Sequence, residues 1–335
     1  MLHQSSVKRM MLVTLAGAAL LLSLGGHALA QDAASNYPNK PVRLIVPVPP
    51  GGAADGMARL VAEHLQSKWG QPVTVDNKPG AGSAVGLGLL ARQPNDGYTI
   101  GLGNIAANAI NPALQPGQFP YQPVADFSAI TLVGVTPLLL VINTNKVPAR
   151  NVSEFIALLK ANPDKFAYGS SGVGSSLHIA MELFLQKTGT RMLHVPYKGS
   201  APMMTDLLSG QVVAAMDAAA TSWPQVQAGK LRALGVAGPE KAFFAPELPL
   251  LRDQVSGFDV KPWHGLMAPA GTPPAIIEKI AREVQAFLRT PEAKLQLEAK
   301  GIIRVGNSPT EFQKFMAAEF EIYKKVIQDA GIKPD

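Results

Sequence analysis

The sequence predicts an α/β protein of two lobes, each a mainly parallel sheet flanked by helices, joined by two crossings of the chain. Three observations carry that reading. Short apolar runs rich in β-branched residues alternate with amphipathic helical stretches, the grammar of parallel strands and crossover helices. The 335 residues exceed what one hydrophobic core usually organises. The 31 glycines and 28 prolines punctuate the chain regularly, so its elements are short and joined by tight turns.

Val42 to Val46 is the first apolar run. It empties into a Pro/Gly loop and a helix with Met57, Leu60, Val61, Leu65 and Trp69 on one face, closed by Gly70. Val73 to Val75 and Tyr98 to Leu102 repeat the pattern. Ile130 to Asn143 reads as strand broken at Pro137, which makes it the first crossing between lobes. A second α/β unit follows, with strands at Phe166 to Tyr168, Leu193 to Val195 and Val212 to Met216, and Leu231 to Val236 as the return crossing. Two long amphipathic helices, Pro274 to Leu288 and Thr310 to Ala330, end the chain and are expected to pack on the first lobe. The lobes therefore comprise residues 31–135 with 236–335, and residues 136–235.

Residues 1–30 have the layout of a cleaved secretory signal: Lys8 and Arg9, an apolar run from Met10 to Leu24, then Ala28-Leu29-Ala30. The run is shorter than the roughly 20 residues of a spanning helix. Removing 30 of the 335 residues leaves 305 and takes two cations from the formal charge of +6, giving +4. The chain has no cysteine, which excludes a lipid-modified cysteine, disulfides and thiolate metal sites. Its cations are scattered and not interleaved with aromatics, so nucleic acid is not an expected partner. The expectation is a soluble exported protein that neither inserts stably in a membrane nor carries a cofactor or metal.

In open α/β sheets ligands sit where strands empty into helices. Here those loops are poor in charge and rich in Gly, Ser and Pro. In the first, Pro49, Gly51 and Gly52 precede a helix, and glycine lets backbone N–H groups approach a ligand. Asp55 either complements the positive end of that helix or contacts an ammonium group or water. In the second, Ser170, Ser171, Gly174 and Ser175 lead into a helix bearing His178 in its first turn, either a ready anion site or an ordinary Gly/Ser turn with a serine cap. Ser171, His178 and Asp217 are the residue types of a hydrolase triad, but the serine segment does not fit G-x-S-x-G. Gly101-Leu102-Gly103-Asn104-Ile105-Ala106 after a strand superficially resembles a dinucleotide fingerprint, but its acidic partner is ill-placed, since Asp126 follows a Pro-rich loop.

Six motifs in order, Pro49-Pro50-Gly51-Gly52-x-x-Asp55, Asn77-Lys78-Pro79-Gly80-Ala81-Gly82, Asp96-Gly97-Tyr98-Thr99, Tyr168-Gly169-Ser170-Ser171-Gly172-x-Gly174-x-x-x-His178, His194-Val195-Pro196-Tyr197-Lys198-Gly199 and Gly229-Lys230-Leu231-Arg232-Ala233-Leu234, resemble the Bug-type (TctC-like) receptors of tripartite tricarboxylate transporters. The resemblance implies a type II Venus-flytrap fold, a periplasmic location, membrane transporter subunits as partners, and a small carboxylate as ligand: a di- or tricarboxylate, an acidic amino acid or an aromatic acid. It places the first-lobe grip on Pro49, Gly51, Gly52 and Asp55. The second-lobe grip falls on Ser170, Ser171, Gly174, Ser175 and His178, with Asp217 as a further pocket residue. Strand-to-helix logic adds Asn104. Ser83 departs from the glycine usual in the family, and Leu248 to Asp253 departs from its Pro-Thr-x-x-Glu stretch. A ligand-binding sensor would use the same clamp.

Overall fold

The computed structural model describes residues 35–333; the expected signal, residues 1–30, lies outside them. The first lobe opens with β1 (Val42–Val46), α1 (Ala53–Trp69), β2 (Val73–Asn77), α2 (Ala84–Leu90), β3 (Thr99–Asn104), a short π turn at Ala106–Ile110 continuing into α3 (Asn111–Leu114), and β4 (Phe127–Val135). The second lobe holds β5 (Leu138–Asn143), α4 (Val152–Ala161), β6 (Ala167–Ser170), α5 (Ser176–Thr188), β7 (Leu193–Pro196), α6 (Ser200–Ser209), β8 (Ala214–Ala218), α7 (Ala219–Gln227), β9 (Leu231–Ala237) and α8 (Leu251–Gln254). The chain then returns with β10 (Trp263–Pro269), α9 (Pro274–Leu288), α10 (Pro291–Glu298), β11 (Ile303–Arg304) and α11 (Pro309–Asp329).

Each lobe is one sheet between helices. The first sheet has the order β11-β4-β10-β3-β1-β2 and the second β7-β6-β8-β5-β9. β1 pairs in parallel with β2 and β3, whereas β10 lies antiparallel between β3 and β4. In the second sheet β6 is parallel to β7 and β8, and β5 runs antiparallel between β8 and β9. A strand delivered by a crossing enters each sheet against the local direction, because it arrives from the other lobe without a crossover helix.

Local chemistry explains the main boundaries. α1 carries Asp55 in its first turn and Lys68 in its last, and Gly70 ends it in the left-handed conformation at φ 64°. α11 starts with a capping box between Ser308 and Glu311. The glycines of the fingerprint-like segment are there for packing: a Cβ on Gly103 would stand 1.9 Å from Met267 Cε on β10, and one on Gly101 2.5 Å from Leu90.

The two crossings lie side by side. β4 ends at Val135 and β5 starts at Leu138, so Pro137 does break the long apolar run. The Thr136 N–H donates to Pro262 O at 3.0 Å, just before β10 pairs Trp263 with Val135. The return comes later than residue 236: β9 is paired with β5 from Leu231 to Ala237, and Phe258 still packs edge-on against Phe184 of the second lobe at 6.2 Å. The final helix packs on both lobes, meeting β4 in the first and α5 in the second. Its Phe312 stands edge-on to Trp263 at 5.5 Å, beside the return crossing.

Candidate functional site

The loop after β1 is shaped by one buried carboxylate. Asp55, 2% exposed, accepts hydrogen bonds from the Gly51 N–H at 2.9 Å, Arg59 Nε at 3.0 Å and Asn77 Nδ2 at 2.9 Å. Asn77 Nδ2 also donates to Val48 O at 3.0 Å, tying the loops after β1 and β2 together. Burial raises the Asp55 pKa, but these donors outweigh it and hold the carboxyl below its ordinary value. With its acceptors used from within, Asp55 clamps Gly51, which sits at φ 93°, where a side chain would be strained. Gly52 caps α1 without any side-chain bond to the helix start.

Opposite, in the second lobe, β8 ends and α7 starts at Ala219, again without a side-chain cap. A cavity of about 820 Å³ separates the two helix starts. Pro50, Gly51, Gly52 and Ala53 line it from the first lobe, and Ala219, Ala220, Trp223 and Pro224 from the second. The Gly51 N–H is taken by Asp55 and the Ala219 N–H by Pro137 O at 3.1 Å, but no side chain caps either helix start, so the positive ends of two helices border one space from opposite lobes, an arrangement that favours an anion. Phe243 and Phe244, from the loop after β9, and residues 298–301, from the end of α10, complete the wall. Arg59 is paired with Asp55, and Glu298 with Lys294 at 3.8 Å. Lys300 forms no ion pair among the described residues, and its half-buried stem crosses α1 at Gly56.

The Ser/Gly loop of the second lobe rests on a ring stack. His178 and His194 lie face to face with centroids 3.9 Å apart, and Tyr168 stacks on His194 at 4.9 Å. Ser170 Oγ bonds His194 Nε2 at 2.7 Å, and the Gly172 N–H donates to Ser170 Oγ at 3.2 Å. His178 Nδ1 accepts the Gly174 N–H at 3.0 Å, which leaves the ring proton on Nε2, 3.9 Å from Glu182 Oε1. Burial, reinforced by His194, pushes the His178 pKa down to about 3, so the ring is neutral. Ser175 caps α5 by accepting the His178 N–H at 3.2 Å.

Of the residues expected at the site, Gly51, Gly52 and Asp55 border the 820 Å³ cavity and exposed Pro49 adjoins it. Ser170, Ser171, Gly174, Ser175 and His178 do not line that cavity. Their loop meets the first lobe elsewhere: Gly174 abuts Leu114, and Val173 borders a second space of about 500 Å³ with Gly82, Val85 and Asn111. Asp217 is wholly buried at the end of β8, two residues before α7, with Oδ2 held by the Thr221 hydroxyl. Asn104 joins β3 to the neighbouring turn, donating from Nδ2 to Ser83 Oγ at 3.0 Å and accepting the Ala107 N–H at 3.0 Å. That bond anchors the Ser83 side chain while its backbone holds a left-handed φ of 79°. The hydrolase constellation is not assembled: His178 is occupied by Gly174 and faces Glu182, and Asp217 bonds Thr221.

Lys300, Trp223, Phe243 and Phe244 are site residues that sequence reasoning missed. Trp223 lies within α7, Phe243 and Phe244 in the loop after β9, and Lys300 just past α10, with no motif around them; the facing of the two lobes brings them to the cavity that Gly51 lines.

Residues 57–332 match the family described as the tripartite tricarboxylate transporter family receptor (TctC). The chain is similar to Protein BugT of Bordetella pertussis, 35% identical over 306 residues covering 91% of this chain and 93% of BugT. Among solved structures it is similar to Rpa4515 of R. palustris with adipate (33% identity, TM-score 0.73, 90% of this chain and all of that one). It also resembles MatC of Rhodopseudomonas palustris with bound malate (27% identity, TM-score 0.69, 87% of this chain and all of that one). The family and the fold are those of solute-binding proteins rather than enzymes. With two sheets bordering one cleft and a family match over most of its length, this chain belongs to the TctC receptors of tripartite tricarboxylate transporters.

Proposed function

We propose that the protein captures a small carboxylate between its lobes in the periplasm and presents it to the membrane subunits of a tripartite tricarboxylate transporter. The observation that carries the reading is the pair of helix starts, α1 and α7, that face one cavity from opposite lobes with no side-chain cap on either. Backbone donors and helix dipoles at such ends recognise negative charge without a dedicated arginine. Lys300 adds a cation to the same wall. The relatives solved with adipate and malate bind carboxylates.

Two adjacent crossings act as a hinge. A ligand held by one helix start gains the second set of donors only when the lobes approach, so the liganded protein favours the closed arrangement through differential contacts. The transporter subunits read that arrangement. A thermal-denaturation panel on protein freed of ligand by unfolding and refolding tests the reading. A carboxylate at a hundred times its dissociation constant adds about 2.7 kcal/mol to stability and raises the melting temperature. If di- and tricarboxylates, acidic amino acids and aromatic acids all leave it unmoved while a neutral or cationic solute raises it, the reading is wrong.

A further inference from the structure

We infer that the carboxylate this cavity selects is an aromatic one, with its charged group toward Lys300 and its ring on a wall built from Trp223, Phe243 and Phe244. The inference rests on the carboxylate reading above and narrows it. Trp223 and Phe244 have ring centroids 5.3 Å apart at 53°, and Phe243 stands edge-on to Phe244 at 5.2 Å and 88°. These tilted and edge-to-face geometries leave ring faces available to a third ring. Phe243 is 42% exposed, a large apolar surface left at a cavity wall instead of being folded into the core. The rings come from α7 and from the loop after β9, so they face the first-lobe residues Gly51 and Lys300 across the space.

Charge and polarity point the same way. Within the wall Arg59 and Glu298 are paired, which among the described residues leaves Lys300 as the cation without an ion-pair partner. A tricarboxylate would bring three charges against one such cation, and any carboxylate pressed on the aromatic wall would lose water without gaining a partner. Beside Ala219, Ala220, Pro50 and Pro224 the hydroxyl of a hydroxy acid would find no side-chain partner, only the backbone N–H groups that the carboxylate itself uses. An aromatic acid has one charged end and an apolar body, and a space of about 820 Å³ admits it without strain.

Benzoate and hexanoate carry the same single charge, so titration calorimetry with the pair isolates the ring. The expected result is at least tenfold tighter binding of benzoate. Trp223→Leu and Phe243→Ser should each weaken benzoate fivefold or more and hexanoate by a smaller factor. Phe243 is exposed enough that its replacement spares the fold, and an unchanged melting temperature of the unliganded variant verifies this. Equal or tighter binding of hexanoate, or a benzoate affinity that neither substitution moves, overturns the inference. Binding of aliphatic carboxylates alone would sink it and leave the carboxylate reading standing; failure of benzoate, hexanoate, citrate and glutamate alike would sink both.

Discussion

Lys300 crosses helix α1 at Gly56, so closely that a Cβ on Gly56 would stand 2.9 Å from Lys300 Cδ and 3.0 Å from its Nζ. The missing side chain at Gly56 is what lets a cation from the end of α10 reach the cavity. Gly56→Ala should therefore separate stability from binding. Alanine in a helix interior is favoured over glycine by about 0.8–1 kcal/mol, and a flexible lysine stem can move aside, so the melting temperature should hold or rise. Affinity for the bound carboxylate should fall, as it should in Lys300→Gln, by the roughly 1.5–3 kcal/mol of a hydrogen bond to a charged group. Calorimetry on both variants checks this; unchanged affinity in both would remove Lys300 from the site.

Asp55 is the keystone of the loop after β1. Asp55→Asn keeps the shape but loses the charge that draws Gly51, Arg59 and Asn77 to one point, and it should cost about 1–3 kcal/mol of stability in urea unfolding. Because its folded pKa lies below the ordinary 3.8, its contribution is present above that value and lost as pH falls through the folded one. The variant should lack that acid-side loss. A variant as stable as the parent at pH 7 would mean the clamp contributes nothing.

Asp217 titrates in the opposite sense. Burial raises its pKa from 3.8 to about 6, only partly opposed by the Thr221 hydroxyl and the Ala218 N–H, and its Oδ1 has no partner. The native state binds this proton more tightly than the unfolded chain does, so stability falls as pH rises from about 4 through 6. Asp217→Asn should abolish that decline, with a gain over the parent at pH 7 on the order of 2–3 kcal/mol. Parallel pH–stability curves for variant and parent would contradict it.

Glu319 on α11 is 3% exposed, and burial pushes its pKa up to about 8 against the opposing pull of Lys261; Asp259 adds to the rise. The shift favours its protonated form at pH 7, beside the return crossing. Stability should fall as pH rises from about 4.5 to 8, and Glu319→Gln should remove the fall, its advantage growing through that window. Urea midpoints at pH 5, 7 and 9 measure it; a constant difference across the three would contradict the burial argument.

The helices and their caps were the most legible part of the sequence. The periodicity places Pro274–Leu288 without error and Thr310 to Ala330 within one residue at each end, and Gly70 closes α1 as its position implies. The strand β10 was not legible: His264, Gly265 and Pro269 break any apolar alternation, and the segment is a strand because its neighbours β3 and β4 flank it on both sides. In sequence β9 reads as a crossing, because an apolar run alone does not say which sheet it joins. At the site, the glycine loops announce where a backbone approaches a ligand. Lys300, Trp223 and Phe243 carry no local signal, since their role depends on a fold that brings residues more than 170 positions apart to one wall.

The most direct test is a crystal structure of the protein with a carboxylate that raises its melting temperature. The account predicts lobes closed on the ligand, with a carboxylate oxygen within hydrogen-bond distance of the backbone N–H groups at the start of α1 and of α7, and Lys300 Nζ turned toward it. A ligand held solely by Ser171, Gly174 and Ser175, with the space between Gly52 and Ala219 filled by water, would contradict it.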